Sequence, residues 1–115
     1  MTSQGARAEA LAAAYLQRQG LAIVARNFRT RAGEIDLVAR DGRVLVFVEV
    51  RLRRSANFGG AVESITATKR ARLVAAANAY LARLGREPPC RFDAILMSSL
   101  DPSAIDWRRD VFGLD

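Results

Sequence analysis

The chain has 115 residues, half of them apolar, and 18 basic residues against 12 acidic ones give it a net charge of +6. That length supports one ordinary hydrophobic core and predicts a single domain over residues 1–115. The sequence has no histidine and one cysteine, Cys90, which excludes Ser-His-Asp and Cys-His catalysis and an internal disulfide, and leaves zinc without a ligand set.

In chain order, residues 4–19 read as a helix. Ala8, Leu11, Ala12, Tyr15 and Leu16 recur at helical spacing, Ser3 is placed to cap the start, and Gly20 ends it. Residues 21–29 read as a strand. Residues 33–40 and 43–53 read as a hairpin turned by Asp41-Gly42. A loop over 55–60 carries Gly59-Gly60. A second helix is expected from an N-cap at Thr66 to Leu84, with the stripe Leu73, Ala76, Ala77, Tyr80, Leu81 and Leu84; Gly85 caps it and Pro88-Pro89 bar its extension. Residues 91–98 read as a fourth strand and 104–112 as a short last one. The order αβββαββ predicts an α/β fold with a mixed central sheet flanked by helices.

No apolar run approaches the roughly 20 residues of a membrane helix, and the first residues lack the apolar centre of a secretory signal. A cytoplasmic protein without a membrane partner is therefore expected. The positive charge makes nucleic acid a reasonable partner. All but one of the 18 basic residues are arginine, the exception being Lys69. With the many alanines, this also fits the codon bias of a GC-rich genome, which carries no functional information. Any metal would have to be held by oxygen ligands, which suits Mg²⁺ or Mn²⁺. No organic cofactor is expected.

The hairpin is the informative segment. With Asp41-Gly42 as a two-residue turn, Arg40 faces Arg43, Val38 faces Leu45, Asp36 faces Phe47 and Glu34 faces Glu49. One face then carries Ile35, Leu37, Ala39, Val44, Val46, Val48 and Val50 and must meet a core. The other carries Glu34, Asp36, Val38, Leu45, Phe47, Glu49 and Arg51. Glu49 is diagonal to Asp36, at about 7–8 Å between backbone positions. Carboxylates gathered in this way want a cation, from a metal or from Arg51 and Arg53. Any half-exposed antiparallel strand shows similar alternation. Leu45 and Phe47 on the charged face, and Glu34 directly opposite Glu49, favour a covered site instead.

At these residues the sequence resembles the YraN family of small bacterial proteins. The matching segments are Gly5-x-x-x-Glu9-x-x-Ala12-x-x-Tyr15-Leu16, Arg26-Asn27-Phe28-Arg29, Gly33-Glu34-Ile35-Asp36-Leu37-Val38, Val46-Phe47-Val48-Glu49-Val50, Lys69 and Arg91-Phe92-Asp93. That family in turn looks like a branch of the PD-(D/E)XK nucleases, similar in pattern to Holliday-junction resolvases. The resemblance implies a restriction-endonuclease-like core and a site of a helix carboxylate, an Asp and a Glu-x-Lys. Carried over, Asp36 and Glu49 are the metal-binding acids and Glu9 the helix acid. Position 51 would be lysine and is Arg51. In such nucleases the carboxylates hold the ion and the lysine orients or deprotonates the nucleophile. Arginine stays charged and cannot act as a base, although it can position water or neutralise phosphate.

Other residues admit a functional and a plain reading. Glu9 is either a site acid or a solvated helix residue. Glu34 is either an auxiliary metal ligand or a salt-bridge partner of Arg51, and the pairing with Arg51 is favoured. Glu63 and Lys69 flank the start of the second helix, and Lys69 is either a surface lysine or a replacement for the one missing at position 51. Arg53, Arg54, Arg70 and Arg72 suit a phosphate-contacting rim or a solvated surface. Asp93 is expected to be structural. Trp107, beside Arg108 and Arg109, can stack on a base or pack at an edge. Three functions compete: a metal-dependent endonuclease on structured or branched DNA, a non-catalytic nucleic-acid-binding module, and a protein-interaction module. DNA is favoured over RNA. A homodimer is suggested only by analogy with enzymes that cut two strands symmetrically.

Overall fold

Helix α1 (Gln4–Arg18) starts where the Ser3 side chain accepts a 3.1 Å hydrogen bond from the Ala6 N–H. It stops before Gly20, whose φ of 97° few other residues tolerate. The computed structural model describes residues 3–52 and 66–113. Within these, strands β1 (Ala22–Arg29), β2 (Glu34–Asp41) and β3 (Val44–Leu52) follow α1. Helix α2 (Ala67–Leu84) is capped by Thr66, whose side chain accepts from the Lys69 N–H, and ends at Gly85 with φ 76°. Strand β4 (Cys90–Met97), a 3₁₀ turn (Pro102–Ala104) and strand β5 (Ile105–Phe112) complete the order, so the predicted αβββαββ sequence of elements is the observed one. The loop over 55–60, Arg53, Arg54 and Glu63 lie outside the described residues.

The five strands form one mixed sheet in the order β1-β2-β3-β4-β5. All neighbours are antiparallel except β3 and β4, which are parallel and connected through α2. Each helix covers one face. On the α1 side, Ala8, Ala12, Ala13 and Leu16 pack on Leu37, Ala39, Val46, Val48, Ile95 and Met97. On the α2 side, Leu73, Ala76 and Ala77 pack on Val38, Leu45, Phe47, Phe92, Ala94 and Leu96. The alanines let both helices sit close to the sheet, and the period of the apolar residues puts them where the sequence predicts. This mixed sheet between two helices is consistent with a restriction-endonuclease-like core.

The hairpin register differs from expectation by two residues. Asp41 pairs with Val44, Arg40 with Leu45, Val38 with Phe47 and Leu37 with Val48. The turn is Gly42-Arg43. Gly42 has φ 61°, whereas Asp41 is not among the residues with positive φ. An Asp41-Gly42 turn of type I′ needs positive φ at both positions, whereas a leading glycine suits a II′ turn. Asp41 instead lengthens β2 and pairs with Arg91 at 3.0 Å. A two-residue slip preserves which face each side chain takes, but it changes its neighbours. Asp36 is not opposite Phe47, nor Glu34 opposite Glu49. One step beyond Leu37↔Val48, the observed register sets Asp36 beside Glu49.

A second departure lies at the same place. Ile35, expected on the face of Leu37 and Ala39, packs in the α2 core with Val38 and Phe47. Strict alternation therefore breaks at Asp36. Across the ladder, between the pairs Phe28↔Ile35 and Arg26↔Leu37, Asn27 adopts φ 52°. Asparagine tolerates that left-handed conformation better than most residues. The break turns Asp36 toward the gap in which β2 leaves β3, rather than into either core.

Candidate functional site

The gap between β2 and β3 is closed by a side chain instead of a ladder bond. The Val50 N–H donates to Asp36 Oδ2 at 2.8 Å. Beyond that point, among the described residues, β3 pairs with β4 alone, out to Leu52↔Met97. The opening is a cavity of about 280 Å³, lined by residues from four elements. Glu34 and Asp36 come from β2, Glu49, Val50, Arg51 and Leu52 from β3, Gly5, Ala8 and Glu9 from α1, and Lys69, Arg72 and Leu73 from α2. The first turns of both helices thus flank the cavity, and neither carries an acidic residue there. Their positive dipole ends face a pocket of carboxylates.

The three acids named by resemblance meet in a chain. Glu9 hydrogen-bonds to Asp36, and Asp36 to Glu49. Burial, and then the hydrogen bond and charge of Glu49, push the Asp36 carboxyl from an ordinary 3.8 up to about 8, against the pull of the Val50 N–H. Burial and Asp36 raise Glu9, while a hydrogen bond from Asn27 lowers it. Asn27 therefore has two duties, in the strand break and on Glu9. Sequence reasoning noted it only as part of a motif, although an asparagine inside a strand pattern is itself a signal of irregular backbone.

Arg51 lies on the same wall, its Nη1 3.8 Å from Glu49 Oε2. Its side chain is mostly buried, and Nε has no hydrogen-bond partner among the described residues. Glu34 does not pair with Arg51 as expected. It bonds Arg29 at 3.1 Å, on an exposed surface where such a pair contributes little. Lys69, Arg72 and Leu73 share one face of α2 because residues three and four apart are neighbours on a helix. Arg70 is a turn-quarter away and does not line the cavity. Its guanidinium lies 4.8 Å from the Phe112 ring centre. Of the four predicted rim arginines, only Arg72 is at the cavity among the described residues.

Gly33 is a residue whose role sequence reasoning missed. A Cβ there would lie 2.1 Å from the Arg72 carbonyl oxygen, so the start of β2 touches the α2 backbone directly. The turn before it is fixed by Thr30, whose hydroxyl accepts from the Ala32 and Gly33 N–H groups. This contact sets how far the α2 wall stands from Asp36.

Asp93 and Trp107 belong elsewhere. Trp107 donates to Asp93 Oδ2 at 2.9 Å, meets Tyr15 edge-on and has Arg109 over its ring. It is packed, as the commoner alternative for a tryptophan in a strand has it. Asp93 is structural, as expected.

The donor set at the cavity is all oxygen, which fits Mg²⁺ or Mn²⁺. The raised Asp36 carboxyl holds a proton that a divalent ion can replace. Among the described residues, no three acidic, cysteine or histidine side chains converge as a ready-made cage. The arrangement therefore suits an ion held by one or two carboxylates and completed by water, as Mg²⁺ commonly is.

These features define a mixed α/β protein with an acidic cavity at the point where two strands part, flanked by the first turns of two helices, of which α1 brings Glu9 and α2 brings Lys69 and Arg72. The chain belongs to the family described as "Uncharacterised protein family UPF0102", whose model matches residues 8–97; this is the YraN-like group that the motifs resemble. It is 54% identical over 112 residues to a UPF0102 protein of Methylobacillus flagellatus, covering 97% of this chain and 98% of the relative. A UPF0102 protein of Cupriavidus metallidurans is 54% identical over 98% of this chain and 83% of its own. One from Nitrosomonas europaea is 49% identical over 96% and 93%. Among the described residues no helix is long and apolar enough to cross a membrane.

Proposed function

We propose that this protein binds nucleic acid, DNA in preference to RNA, and that its acidic cavity supports slow, metal-dependent hydrolysis of phosphodiester bonds in structured or branched substrates. The observation that carries this reading is the Asp36 carboxyl, half-buried beside Glu49 and Glu9 and pushed up to about 8. Acids packed on acids weaken a fold. They recur where a site must receive positive charge. Asp36 and Glu49 would hold the ion, with Glu9 beside them, and the ion would supply an activated water and neutralise charge on the phosphate. Arg51 and Arg72 hold positive charge at the same cavity and offer hydrogen bonds to phosphate oxygens. The net charge of +6 supports sequence-independent attraction to the backbone.

A second reading has its own observation. Arg51 stands where the motif would have lysine and lies 3.8 Å from Glu49, which suits a protein that binds nucleic acid without cutting it. The test for both is binding and cleavage of four-way-junction, duplex and single-stranded DNA with Mg²⁺ and Mn²⁺, by wild type and Asp36→Asn. Metal-dependent cleavage abolished by Asp36→Asn, with binding retained, supports the enzyme. Binding without cleavage supports the module. Absence of binding to every DNA at low salt overturns both and points to a protein partner.

A further inference from the structure

We propose that Lys69 contacts the substrate: its ammonium grips a backbone phosphate from the α2 side of the cavity, across from Asp36 and Glu49. The inference rests on the nucleic-acid reading above. Lys69 lines the cavity together with Arg72 and Leu73, one helical face of α2. Leu73 is 3% exposed and anchors that face against the core, so the residue one turn earlier is held over the opening. Two further contacts fix this part of α2. Thr66 caps the helix by accepting from the Lys69 N–H at 3.2 Å, and the Arg72 backbone abuts Gly33 at the start of β2.

The chemistry of the cavity assigns the contact. Its acids come from α1, β2 and β3, while α2 contributes only Lys69 and Arg72 as charged groups. A phosphate entering beside a bound cation meets carboxylates on the sheet side and needs donors on the other. An ammonium there, at the positive end of α2, provides them. A lysine is a compact point charge that adapts to one phosphate oxygen, unlike the planar fork of the arginines used at every other basic position in the sequence.

Lys69 is the one lysine in the sequence, so amine-selective acylation read by mass spectrometry at the Lys69 peptide, apart from the N-terminal amine, reports it. The probe is a four-way DNA junction bound in Ca²⁺. Bound junction is expected to slow acylation of Lys69 by several-fold. Lys69→Gln is expected to weaken binding and to lower the slope of log affinity against log salt by about one, and Lys69→Arg to restore both. A lysine that only balances the acids of the fold would move the melting temperature and leave the salt slope unchanged. Tight binding with unchanged Lys69 reactivity and an unchanged slope in Lys69→Gln overturns the inference alone. Absence of junction binding by wild type overturns it together with the nucleic-acid reading.

Discussion

Two aspartates, Asp93 buried and Asp36 half-buried, sit in neighbouring parts of the sheet, and they are handled in opposite ways. Asp93 is 1% exposed and is met by donors on every side. Arg91 Nε lies 3.0 Å from its Oδ1, Trp107 Nε1 donates to Oδ2 at 2.9 Å, and the Asp110 N–H donates to Oδ1 at 3.0 Å. Asp110 reaches it because its φ of 55° accompanies an irregular register between β4 and β5. Arg91 is held in turn by Asp41. Asp36 receives one backbone N–H and otherwise faces carboxylates. A buried charge with matched donors belongs to the architecture, whereas a half-buried acid whose carboxyl neighbours are other acids is raised by them. The first arrangement closes the far edge of the sheet. The second is open to a cavity, and this difference separates scaffold from site.

The largest effect is expected from breaking the balanced cluster. In Asp93→Asn the amide would set an N–H against one of the present donors, and Arg91 would lose its charged partner inside the fold. A loss of about 3–5 kcal/mol is expected, as for other broken buried pairs. Chemical denaturation would show it as a large drop in midpoint. A change under 1 kcal/mol would mean that the cluster is not what holds β4 to β5.

The unbalanced acid should respond to pH instead. Asp36 is raised from 3.8 to about 8 in the fold, so between roughly these pH values the folded state holds a proton that the unfolded chain has released. The resulting stability is fully present below about 4 and is lost as pH rises through about 8. Asp36→Asn should flatten this decline and at pH 8 be as stable as wild type or more so. Mg²⁺ or Mn²⁺ should raise the melting temperature of wild type, more at pH 8 than at pH 6, because the ion needs the carboxylates without their proton. Melting curves across pH, with and without Mn²⁺, test this. An equal metal shift in wild type and Asp36→Asn would remove the ion from this position.

Much of this contrast was open to inspection in the sequence, and the parts that were not share a cause. The helices announced themselves through Ser3, Gly20, Thr66 and Gly85, because caps are local chemistry. The strands followed from alternation. The choice between Asp41-Gly42 and Gly42-Arg43 as the turn was hidden, since both close a two-residue hairpin with Gly42 at positive φ and only the backbone angle at Asp41 separates them. Asp36 and Glu49 were found as a pair because a two-residue slip leaves facing unchanged. The break at Asp36 was not, as it depends on Asn27 of the adjacent strand. Glu9 carried no local signal and came only through family resemblance. Gly33 against Arg72 is a contact between residues far apart in sequence, which no local pattern encodes. Arg70 was grouped with Arg72 by proximity along the chain, although helical geometry sends it elsewhere.

The smallest effect on stability, and a decisive one for chemistry, is expected at Arg51. Each cluster contains an arginine two residues along the strand from an acid: Arg91 before Asp93, and Arg51 after Glu49. Arg91 is tied at 3.0 Å to both Asp93 and Asp41. Arg51 has one looser approach, 3.8 Å to Glu49; each arginine keeps one buried nitrogen, Arg51 Nε and Arg91 Nη2, without a partner among the described residues. Arg51→Lys should therefore change stability by less than about 1 kcal/mol, the range of substitutions that break no tight pair. It places a group that can exchange a proton beside the carboxylates, where the guanidinium cannot. Assistance of that kind is worth about 10²–10⁴-fold in rate. Wild type should thus cleave DNA slowly or below detection, and Arg51→Lys should raise metal-dependent cleavage with little change in affinity. The measurement is single-turnover cleavage of a junction in Mn²⁺ by the two proteins. Brisk cleavage by wild type, undiminished relative to Arg51→Lys, would show that proton transfer is handled elsewhere in the cavity. Silence in both, with tight binding, would place this chain among proteins that retain the acids and the fold for holding nucleic acid alone.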